Sequence, residues 1–482
     1  MAIAEDLAQH LERPLGRGLL PEGGFTGAAG GAACGDLIRI SIAIDAGDPE
    51  GRVGDAGFDA SGCGATVAAG SAAVGLLRGA PLLRAALLGA DEIARELGGL
   101  SAAKRHAAEL AADALHRALG RAAREHAALA PGADRTLVAM SGGVDSAVAA
   151  LLAVEAGEQA VGVTLELWSD PENDGDLSCC SAQAVRGARE LAHGLGIPHL
   201  SIDLRAEFQA GVVDHWLADH AAGETPNPCV RCNGNVRLDA MLELADRLGS
   251  KTLVTGHYAR VADGPLLRTA ADAGKDQSYV LSALAPSSLA RVRFPLGELR
   301  KPQVRELALK AGLDVAGRRD SQDLCFLAGT RQRDFLERHG GLGERPGPIV
   351  DGAGRILGEH AGAQVFTVGQ RHGLGIGGTD PLYVLATDTR ANTVLVGPRR
   401  QLLIGGMAVR GATLHRDGAC VDGVRVRSHG RRLVCRLPEA PAAGHHARLS
   451  LELDEPAERT APGQLACMYA GDVVVGYGTV AP

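Results

Sequence analysis

Aromatic side chains are scarce in this 482-residue chain: phenylalanine, tryptophan and tyrosine together make up only 3% of it. No run of about 18 uninterrupted apolar residues occurs, which argues against a membrane-spanning helix. The N-terminal MAIAEDLAQHLERP also lacks the basic-then-apolar plan of a secretory signal. Positive charge is in deficit, with a formal net charge of −8, so the whole chain gives no signal for nucleic-acid binding. We therefore expect a cytoplasmic protein without a membrane partner.

The composition is otherwise that of a folded protein, with 46% hydrophobic and 22% charged residues. The length allows three or four domains. Ten cysteines in a long chain of this kind favour reactive or metal-binding thiols over a disulfide framework. We interpret the abundance of alanine and glycine as a composition bias. Solvated charge and local basic faces stay open as alternatives for three arginine-rich groups: Arg291, Arg293, Arg300, Lys301 and Arg305; Arg318, Arg319, Arg331 and Arg333; Arg399 and Arg400.

The order of patterns along the chain predicts a loose tail at 1–22, a compact domain at 23–128 and a linker at 129–134. Within the first domain, Leu37–Ile44 is β-like, and helices are predicted at Ala65–Leu77 and Asp91–Arg124. In the next region, 135–332, apolar strands alternate with amphipathic helices, which is typical of a doubly wound α/β domain with a parallel sheet. The predicted strands are Thr136–Met140, Ala160–Leu167, His199–Leu204 and Thr252–Thr255, and the predicted helices are Ser146–Glu155, Ala182–Leu195, Arg205–Ala221 and Arg237–Leu248.

Beyond this region, short β-like runs are separated by Gly, Pro and Asp-Gly turns. This pattern predicts a small β-rich central domain at 333–400 and a β-barrel at 401–482. The runs are Pro348–Val350, Leu382–Ala386, Thr393–Val396, Val424–Arg427, Arg448–Leu453 and Val473–Gly476.

The most informative motif is a Gly-Gly turn between a predicted strand and a predicted helix. Its residues are Met140, Ser141, Gly142, Gly143, Val144, Asp145 and Ser146. Backbone N–H groups at such a turn, together with the helix dipole, favour a phosphate group. Asp145 would help to hold Mg²⁺, and Ser146 would cap the helix or donate to an oxygen.

Three distant cysteines, Cys229, Cys232 and Cys325, suggest thiol chemistry beside this nucleotide motif. Taken alone, each feature has other interpretations. The Gly-Gly motif also occurs in amide ligases, the Cys229–Cys232 spacing suits zinc, a redox pair or two core residues, and Cys325 alone suits an inert core thiol. The adjacent Cys179 and Cys180 are interpreted as structural, and Cys420, Cys435 and Cys467 as packing residues.

Over about 134–482 the chain resembles the bacterial tRNA-specific 2-thiouridylases. The matching pieces are Ser141–Ser146, Thr225–Pro228, Cys232-Asn233, Thr255–Tyr258, Lys275–Tyr279, Ser321–Phe326, Gly347–Val350, Phe366–Arg371, Pro381–Val384 and Pro462–Gln464. The resemblance implies ATP- and Mg²⁺-dependent 2-thiolation of the wobble uridine of tRNA, in which ATP adenylates the 2-oxygen. It also implies a central domain that contacts tRNA.

The resemblance further implies a role for each matching residue. Cys325 would carry a persulfide, received from a cysteine desulfurase or sulfur-relay protein. Cys232 would release the sulfur by attack and end in a disulfide with Cys325. The other roles are ATP binding for Met140–Ser146, Leu165 and Gly256, base contact for Asn227, Pro228 and Cys229, tRNA contact for Lys275, Asp276 and Gln277, and support for His257 and Gln464.

Cys229 departs from the pattern of many relatives, which have aspartate at that position. Three thiolates, from Cys229, Cys232 and Cys325, with one open position would suit a [4Fe–4S] cluster that holds hydrosulfide. The cluster is therefore a hypothesis beside the persulfide route.

Residues 24 to about 125 resemble the IscU/NifU-type iron–sulfur scaffold proteins. The resemblance rests on Ala33–Asp36, Gly62–Ala65, Ala69–Ser71, Leu97–Ser101 and Lys104–Ala107. It implies an α+β fold and a ligand set for a metal or cluster made of Cys34, Asp36, Cys63 and His106. Ala107 stands where these scaffolds have a further cysteine. A labile cluster or metal, a docking site for a desulfurase, and a degenerate structural appendage therefore stay open.

The fold class predicted for the whole chain is thus multidomain: a scaffold-like α+β domain, a pyrophosphate-loop α/β domain, a β-rich domain and a β-barrel. The alternative functions are another pyrophosphate-loop enzyme, either a thiolase of a different tRNA position or an amide ligase, and an iron–sulfur or sulfur carrier. The amide-ligase alternative leaves the three cysteines unexplained.

Overall fold

The computed structural model describes residues 5–30, 35–170, 181–318, 324–327, 329–377 and 380–482. Cys34, Cys179, Cys180, Arg319 and the motif residues 321–323 lie outside the described residues. Within this part of the chain, no helix is both long enough and apolar enough to cross a membrane.

The N-terminal domain is a three-stranded antiparallel sheet covered by helices. Its sheet has the order β1-β2-β3. The first helix differs from the predicted loose tail, because Leu7 is buried in the core and the His10 ring bonds to Ser71. The elements are α1 (Glu5–Glu12), β1 (Phe25–Gly30), β2 (Leu37–Ile44), β3 (Val53–Ser61), α2 (Gly64–Leu77), α3 (Leu82–Ala85), α4 (Ala90–Glu96) and α5 (Arg105–Glu125).

Small residues let α5 lie close to two different sheets. A Cβ on Gly27 of β1 would come within 2.0 Å of the Ala114 carbonyl oxygen, on one side of the helix. On its other side, a Cβ on Gly120 would come within 1.9 Å of the Ser201 carbonyl oxygen. Most alanines of α5 are fully buried as a result. The alanine and glycine of this region are therefore packing residues, which a general composition bias did not predict.

The second domain, predicted at 135–332 and called the catalytic domain below, has the predicted parallel sheet, with five strands. Strands β4 and β5 are apolar and largely buried, as strands covered on both faces must be. Its first elements are β4 (Arg135–Ala139), α6 (Val144–Glu155), β5 (Gln159–Glu166), α7 (Ala182–Gly194), β6 (His199–Asp203), α8 (Arg205–Phe208) and α9 (Asp214–Ala221). A π-helical stretch, Gln209–Val213, joins α8 to α9, so the single helix predicted at Arg205–Ala221 has three parts.

The remaining elements of this domain are α10 (Pro228–Cys232), α11 (Leu238–Arg247), β7 (Thr252–Val254), β8 (Arg260–Ala262), β9 (Leu266–Arg268), α12 (Ser278–Leu281), α13 (Pro286–Leu289), β10 (Val292–Arg293) and α14 (Lys301–Lys310). The parallel sheet has the order β10-β7-β4-β5-β6. The next helix, α15 (Gln332–Gly340), packs its Phe335 ring 5.8 Å from that of Trp168. The β8–β9 hairpin leaves the parallel sheet and pairs with the barrel through Arg268 and Val473.

The last two domains are β-rich, as predicted. The central domain holds a four-stranded sheet of β11 (Gly347–Val350), β12 (Ile356–His360), β13 (Tyr383–Asp388) and β14 (Thr393–Gly397). The barrel contains β15 (Leu403–Leu414), β16 (Gly423–Arg425), β17 (Leu433–Arg436), β18 (Gly444–Glu458), β19 (Leu465–Ala470) and β20 (Val473–Val480). Pairing of β15 with both β18 and β20 closes the barrel.

Helix α5 of the N-terminal domain covers β6, the edge strand of the catalytic sheet. Polar contacts fix this interface: Asp113 receives hydrogen bonds from Arg186 at 2.7 Å and from Arg189 at 2.8 Å. The His116 ring lies 3.0 Å from the His199 carbonyl oxygen. Covering an edge strand removes its unpaired backbone groups from solvent. The two domains therefore pack as one unit, with buried charges between them.

Candidate nucleotide and thiol site

The Gly-Gly motif lies at the carboxyl end of β4, where it turns into α6. Gly142 has a φ of +71°, a conformation that glycine adopts without a steric cost. The Ser146 hydroxyl donates to the Gly143 carbonyl at 3.0 Å and accepts from the Ser141 N–H at 3.1 Å. Ser146 thus holds the turn by donating to an oxygen, which was one of its two predicted roles. The other role, capping, is wrong, because the N-cap of α6 is Gly143 and no side chain caps the helix. Phosphate binding by the N–H groups at the start of α6 stays a prediction.

Gly256 forms the opposite wall of this turn. A Cβ at this position would come within 2.7 Å of both the Asp145 carbonyl carbon and the Ser146 nitrogen. Such a distance leaves no room for a side chain, so the backbone after β7 packs directly against the nucleotide loop. The structure therefore brings together Gly256 and the loop, which lie 110 positions apart in the sequence.

Asp145, which the sequence assigned to Mg²⁺, is bonded to two side chains. The Lys301 ammonium lies 2.7 and 2.8 Å from its two carboxylate oxygens, and the Tyr258 hydroxyl donates to one of them at 2.8 Å. Nearby, Arg318 donates to the Gly142 carbonyl at 3.0 Å. The loop thus has two cations around it, and neither was predicted to lie there.

Several residues of the first arginine-rich group bond within the fold. Arg291 and Arg293 form ion pairs with Asp246 and Glu158. Arg305 donates to the Ala316 and Arg318 carbonyls. The third group also has an internal pair, between Arg399 and Glu458. For these residues, internal pairing replaces the basic face that the sequence left open.

Cys229 and Cys232 lie on the short helix α10, which Asn227 caps. The Asn227 side chain accepts a hydrogen bond from the Cys229 N–H at 3.1 Å. Burial raises the pKa of the Cys229 thiol, and the Arg237 charge partly opposes the rise. Cys232 is buried at the end of α10, and a π-helical stretch, Asn233–Arg237, follows it directly. Single π turns inside helices often accompany functional sites.

The barrel holds the loop that leads into α10. The Thr225 N–H donates to the Pro462 carbonyl at 2.8 Å. The Gln464 side-chain amide donates to the Thr225 carbonyl. Gln464, predicted as a supporting residue, thus contacts the backbone three residues before Pro228 rather than a cysteine.

His257 lies just after Gly256 and bonds to its own strand end. Its Nδ1 atom is 2.8 Å from the Thr255 hydroxyl. Burial, and secondarily the Arg237 charge, lower the pKa of His257 to about 3. The ring is therefore neutral at physiological pH. It suits hydrogen bonding better than general acid catalysis, which requires a pKa nearer 7.

Cys325 is half-buried beside the largest aromatic cluster of the molecule. Its neighbour Phe326 is buried, with ring centroids 5.3 Å from Trp216 and 5.2 Å from Phe335. Trp168 also joins the cluster, 6.5 Å from Phe326. The chain has two tryptophans, and both lie here. Both tryptophans therefore help to anchor the segment that carries Cys325.

The residues predicted to contact tRNA, Lys275–Gln277, are partly used inside the protein. The Asp276 carboxylate is buried and receives bonds from Ser278 and, at 2.6 Å, from Arg425 of the barrel. The Gln277 side chain accepts from the Tyr258 N–H at 2.9 Å. The Lys275 side chain is half-buried. Asp276 and Gln277 therefore shape this segment, and their contact with tRNA stays a prediction.

A second site lies in the N-terminal domain, where Asp36, Cys63 and His106 come together. Their ligand atoms all lie within 4.8 Å of one another. The Cys63 sulfur is 3.4 Å from Asp36 Oδ2, and His106 Nε2 is 3.3 Å from the same oxygen. The pKa of Asp36 is lowered, and the largest cause is a hydrogen bond from the Thr66 side chain. A thiol, an imidazole and a carboxylate form a donor set that fits zinc or iron.

The three cysteines of the catalytic domain are described, and their sulfur atoms do not form a group of this kind. None of the three forms a disulfide within the described part of the chain. A single metal ion therefore lacks a ready set of ligands there. A cubane cluster holds its ligands on different irons, so this spacing leaves the cluster hypothesis as a prediction.

Lys301, Tyr258 and Arg318 are the site residues that sequence analysis missed. Lys301 had been grouped with a basic face because its neighbours are arginines. Lys301 precedes Pro302, a pair that marks the start of α14 but does not indicate the contact with Asp145. Tyr258 belongs to the Thr255–Tyr258 motif, from which only the glycine and histidine had been selected.

Four family models match the chain in succession. They are the NifU-like N terminal domain at 3–127, the tRNA methyl transferase HUP domain at 134–329, the tRNA methyl transferase PRC-barrel domain at 333–398 and the Aminomethyltransferase beta-barrel domain at 415–480. This order agrees with the predicted multidomain fold.

Curated relatives agree with this division of the chain into a NifU-like part and a thiouridylase part. The bifunctional protein NifU/MnmA of Rubrobacter xylanophilus is 44% identical and covers 98% of this chain and 97% of its own length. The tRNA-specific 2-thiouridylase MnmA of Thermobifida fusca is 45% identical over 72% of this chain and 95% of its own. That of Moorella thermoacetica is 41% identical over 71% and 98%. The chain therefore belongs to the tRNA-specific 2-thiouridylase family, with a NifU-like domain joined at its N-terminal side.

Proposed function

We propose that this protein thiolates the 2-position of the wobble uridine, U34, of tRNA in the cytoplasm, using ATP and Mg²⁺. The observation that carries the proposal is the arrangement of the catalytic domain. A phosphate-binding turn and a capped cysteine helix belong to one sheet-based domain, and Gly256 and Tyr258 lie against that turn. Nucleotide activation followed by thiol chemistry accounts for both parts, whereas an amide ligase needs no cysteine.

In the first step the uridine 2-oxygen attacks the α-phosphorus of ATP. Pyrophosphate leaves, and the oxygen becomes part of a phosphate ester that is a good leaving group. The N–H groups at the start of α6 would bind the phosphates. Asp145 would contribute to Mg²⁺ binding, as acidic residues of nucleotide sites do. Activation is required because an amide-like carbonyl oxygen is a poor leaving group.

In the second step a persulfide on Cys325 attacks carbon 2 of the activated base, and AMP leaves. Cys232 then attacks the Cys325 sulfur, which breaks the persulfide bond and leaves the outer sulfur on the base. The two electrons come from the thiols, which end as a Cys232–Cys325 disulfide. An external thiol must reduce this disulfide before the next turnover. A cysteine desulfurase or a sulfur-relay protein would supply the persulfide.

Cys229 supports a second route to the same product. It begins the helix that Cys232 ends, so the two thiols and Cys325 together form a soft donor set. A [4Fe–4S] cluster bound there would supply hydrosulfide in place of the persulfide. In that case Cys229 would be as important as Cys232.

We propose that the N-terminal domain binds a metal or an iron–sulfur species at Asp36, Cys63 and His106, with Cys34 as a further ligand, and that it docks a sulfur donor. Helix α7 supports this role, because it contacts both α5 and the nucleotide loop. Glu109, one turn after His106, pairs with Arg186 at 3.6 Å. On the other side, Ala184 and Ala188 lie against Gly142.

The test is thiolation of unmodified tRNA by anaerobically purified full-length protein with ATP and Mg²⁺. One arm adds sulfide and the other adds a desulfurase with cysteine, and iron is quantified in both. 2-Thiouridine at position 34 in either arm supports the proposed function. Activity that follows bound iron favours the cluster, and activity without iron in the desulfurase arm favours the persulfide. No thiolated nucleoside in either arm would overturn the proposal.

A further inference from the structure

The contact between Lys301 and Asp145 assigns a further residue to the nucleotide site. We propose that Lys301 positions Asp145 before the nucleotide binds and then serves as the cation that receives the triphosphate. This proposal rests on the proposed function only in requiring that ATP binds at the Gly-Gly turn. It applies equally to any reaction that begins with ATP at this turn.

The geometry is that of a specific contact rather than a loose surface pair. The Lys301 ammonium lies within 2.8 Å of both Asp145 carboxylate oxygens, and Tyr258 donates to one of them. The Lys301 side chain is 10% exposed. A lysine so removed from water requires a negative partner, because an unpaired buried charge is strongly unfavourable.

The position of Lys301 is fixed by the start of helix α14. Its backbone N–H donates to the Asp272 carboxylate at 2.9 Å, and Pro302 follows it in the first turn. Residues of α14 also pack against α6 through a shared apolar core that includes Val148 and Val304. The ammonium is thus delivered to the loop by a rigid element, and the remaining freedom lies within its own side chain.

Charge balance gives the reason for a lysine at this point. A carboxylate in the first turn of α6 would repel an incoming triphosphate, since both are negative. Lys301 cancels the charge of Asp145, and Arg318 adds a positive charge where it bonds Gly142. The positive charges around the loop therefore favour an anion there. When Mg²⁺ accompanies the nucleotide and takes the carboxylate, the ammonium is freed to face the phosphate oxygens.

The experiment measures nucleotide binding by calorimetry, with and without Mg²⁺, in full-length Lys301→Met, Lys301→Gln and Lys301→Arg variants. Loss of a charge-assisted bond to phosphate weakens binding by about 10- to 100-fold. We expect that loss for Met and Gln, and partial recovery for Arg. Lys310→Met is the matched control, because Lys310 ends the same helix with a side chain that is 70% exposed.

The outcomes separate this inference from the proposed function. Weak ATP binding by Lys301→Met with wild-type tRNA binding supports the inference, even if the wild type forms no 2-thiouridine. The inference would be overturned if Lys301→Met and Lys301→Gln bound ATP with wild-type affinity and only their melting temperatures fell. The contact would then be a structural ion pair. Absence of ATP binding by the wild type would overturn both. If Lys301→Met does not fold, Lys301→Gln and Lys301→Arg decide the question.

Discussion

In the N-terminal domain, the ligand atoms of Asp36, Cys63 and His106 lie within 4.8 Å of one another, whereas Cys229, Cys232 and Cys325 of the catalytic domain do not form such a group. The first site is held by direct hydrogen bonds: Asp36 accepts from the Cys63 backbone and the Thr66 hydroxyl, and the His106 ring reaches the same carboxylate from α5. The second joins two segments separated by about 90 residues. A binding site benefits from being assembled in advance, whereas a site for sulfur transfer requires its thiols to approach and separate in turn.

The sharpest test of this difference is removal of one reactive thiol. Cys232→Ser should lower thiolation by at least about 1000-fold, because a hydroxyl does not replace a thiol nucleophile. Nucleoside mass spectrometry measures the product, and ATP affinity should stay at the wild-type value. Cys420→Ser is the control, since that half-buried cysteine lies in the barrel. Substantial thiolation by Cys232→Ser would remove the distinction between the two sites.

The complementary test removes ligands from the site formed by Asp36, Cys63 and His106. Cys63→Ser and His106→Ala should each reduce metal bound by the N-terminal domain by about tenfold or more, because each removes one of few ligands. Metal analysis after anaerobic reconstitution measures this loss. Thiolation driven by free sulfide should be unaffected in the same variants. A fall in sulfide-driven activity would instead mean that the two sites act as one.

Close packing at the nucleotide loop provides a third test. A methyl group on Gly256→Ala would have to displace the Asp145–Ser146 backbone, which lies 2.7 Å from its Cβ position. We expect kcat/KM for ATP to fall by about 10- to 100-fold, because a shift of about 1 Å at a site can cost that much. Gly187→Ala in α7 is the control, since nothing lies within 4 Å of its Cβ. Equal effects of the two changes would contradict this account of the loop.

The ion pairs at the interface between the N-terminal and catalytic domains provide a fourth test, which measures stability. Asp113→Ala leaves Arg186 and the buried Arg189 without their shared partner. We expect a loss of about 3 kcal/mol in the free energy of unfolding, since breaking a buried pair strands a charge. Urea denaturation measures it. Asp91→Ala, which removes an exposed pair with Arg105, should change stability by less than about 1 kcal/mol.

The smallest expected effect is a pH dependence at the same interface. His199 is fully buried, its Nε2 bonds Thr164 at 2.8 Å, and its Nδ1 has no hydrogen-bond partner in the described part of the chain. Burial, Arg189 and His193 lower the pKa of His199 well below 6.5. The unfolded chain therefore gains a proton below pH 6.5 that the folded chain excludes, so stability falls as the pH drops.

Between pH 6.5 and 5.5 this effect amounts to about 1 kcal/mol for one such group. Urea midpoints across that range measure it, with His199→Gln as the comparison. The slope should flatten in the variant, because its side chain does not titrate. An unchanged slope would assign the pH dependence to other groups, with His116 as the next candidate because its pKa is also lowered well below 6.5 by burial.

The sequence predicted the parts of the molecule that depend on local pattern. Strands β4 to β7 fall within one residue of the predicted bounds, because buried parallel strands give short apolar runs. The π-helical stretch within Arg205–Ala221 was missed, since one extra residue in a turn leaves little trace in apolar spacing. The Gly-Gly loop was also found from its local motif.

Contacts across distant segments were not available from the same patterns. Lys301 meets Asp145 across 156 positions, and a lysine among arginines carries no mark of that pairing. The packing of α5 between two sheets likewise depended on Gly27 and Gly120, each of which is unremarkable in a glycine-rich chain. The family resemblance gave roles to Cys232 and Cys325. The distance between their sulfur atoms depends on the fold and could not be predicted from the sequence.

The bond from Gln464 to the Thr225 carbonyl spans 239 positions and has a consequence for synthesis of the protein. A ribosome makes the loop before Cys229 and Cys232 long before it makes the barrel turn that holds this loop. A nascent chain therefore carries both thiols before the bond between Gln464 and Thr225 can form. The loop before Cys229 and Cys232 can therefore gain this bond only after the barrel turn with Gln464 has been made.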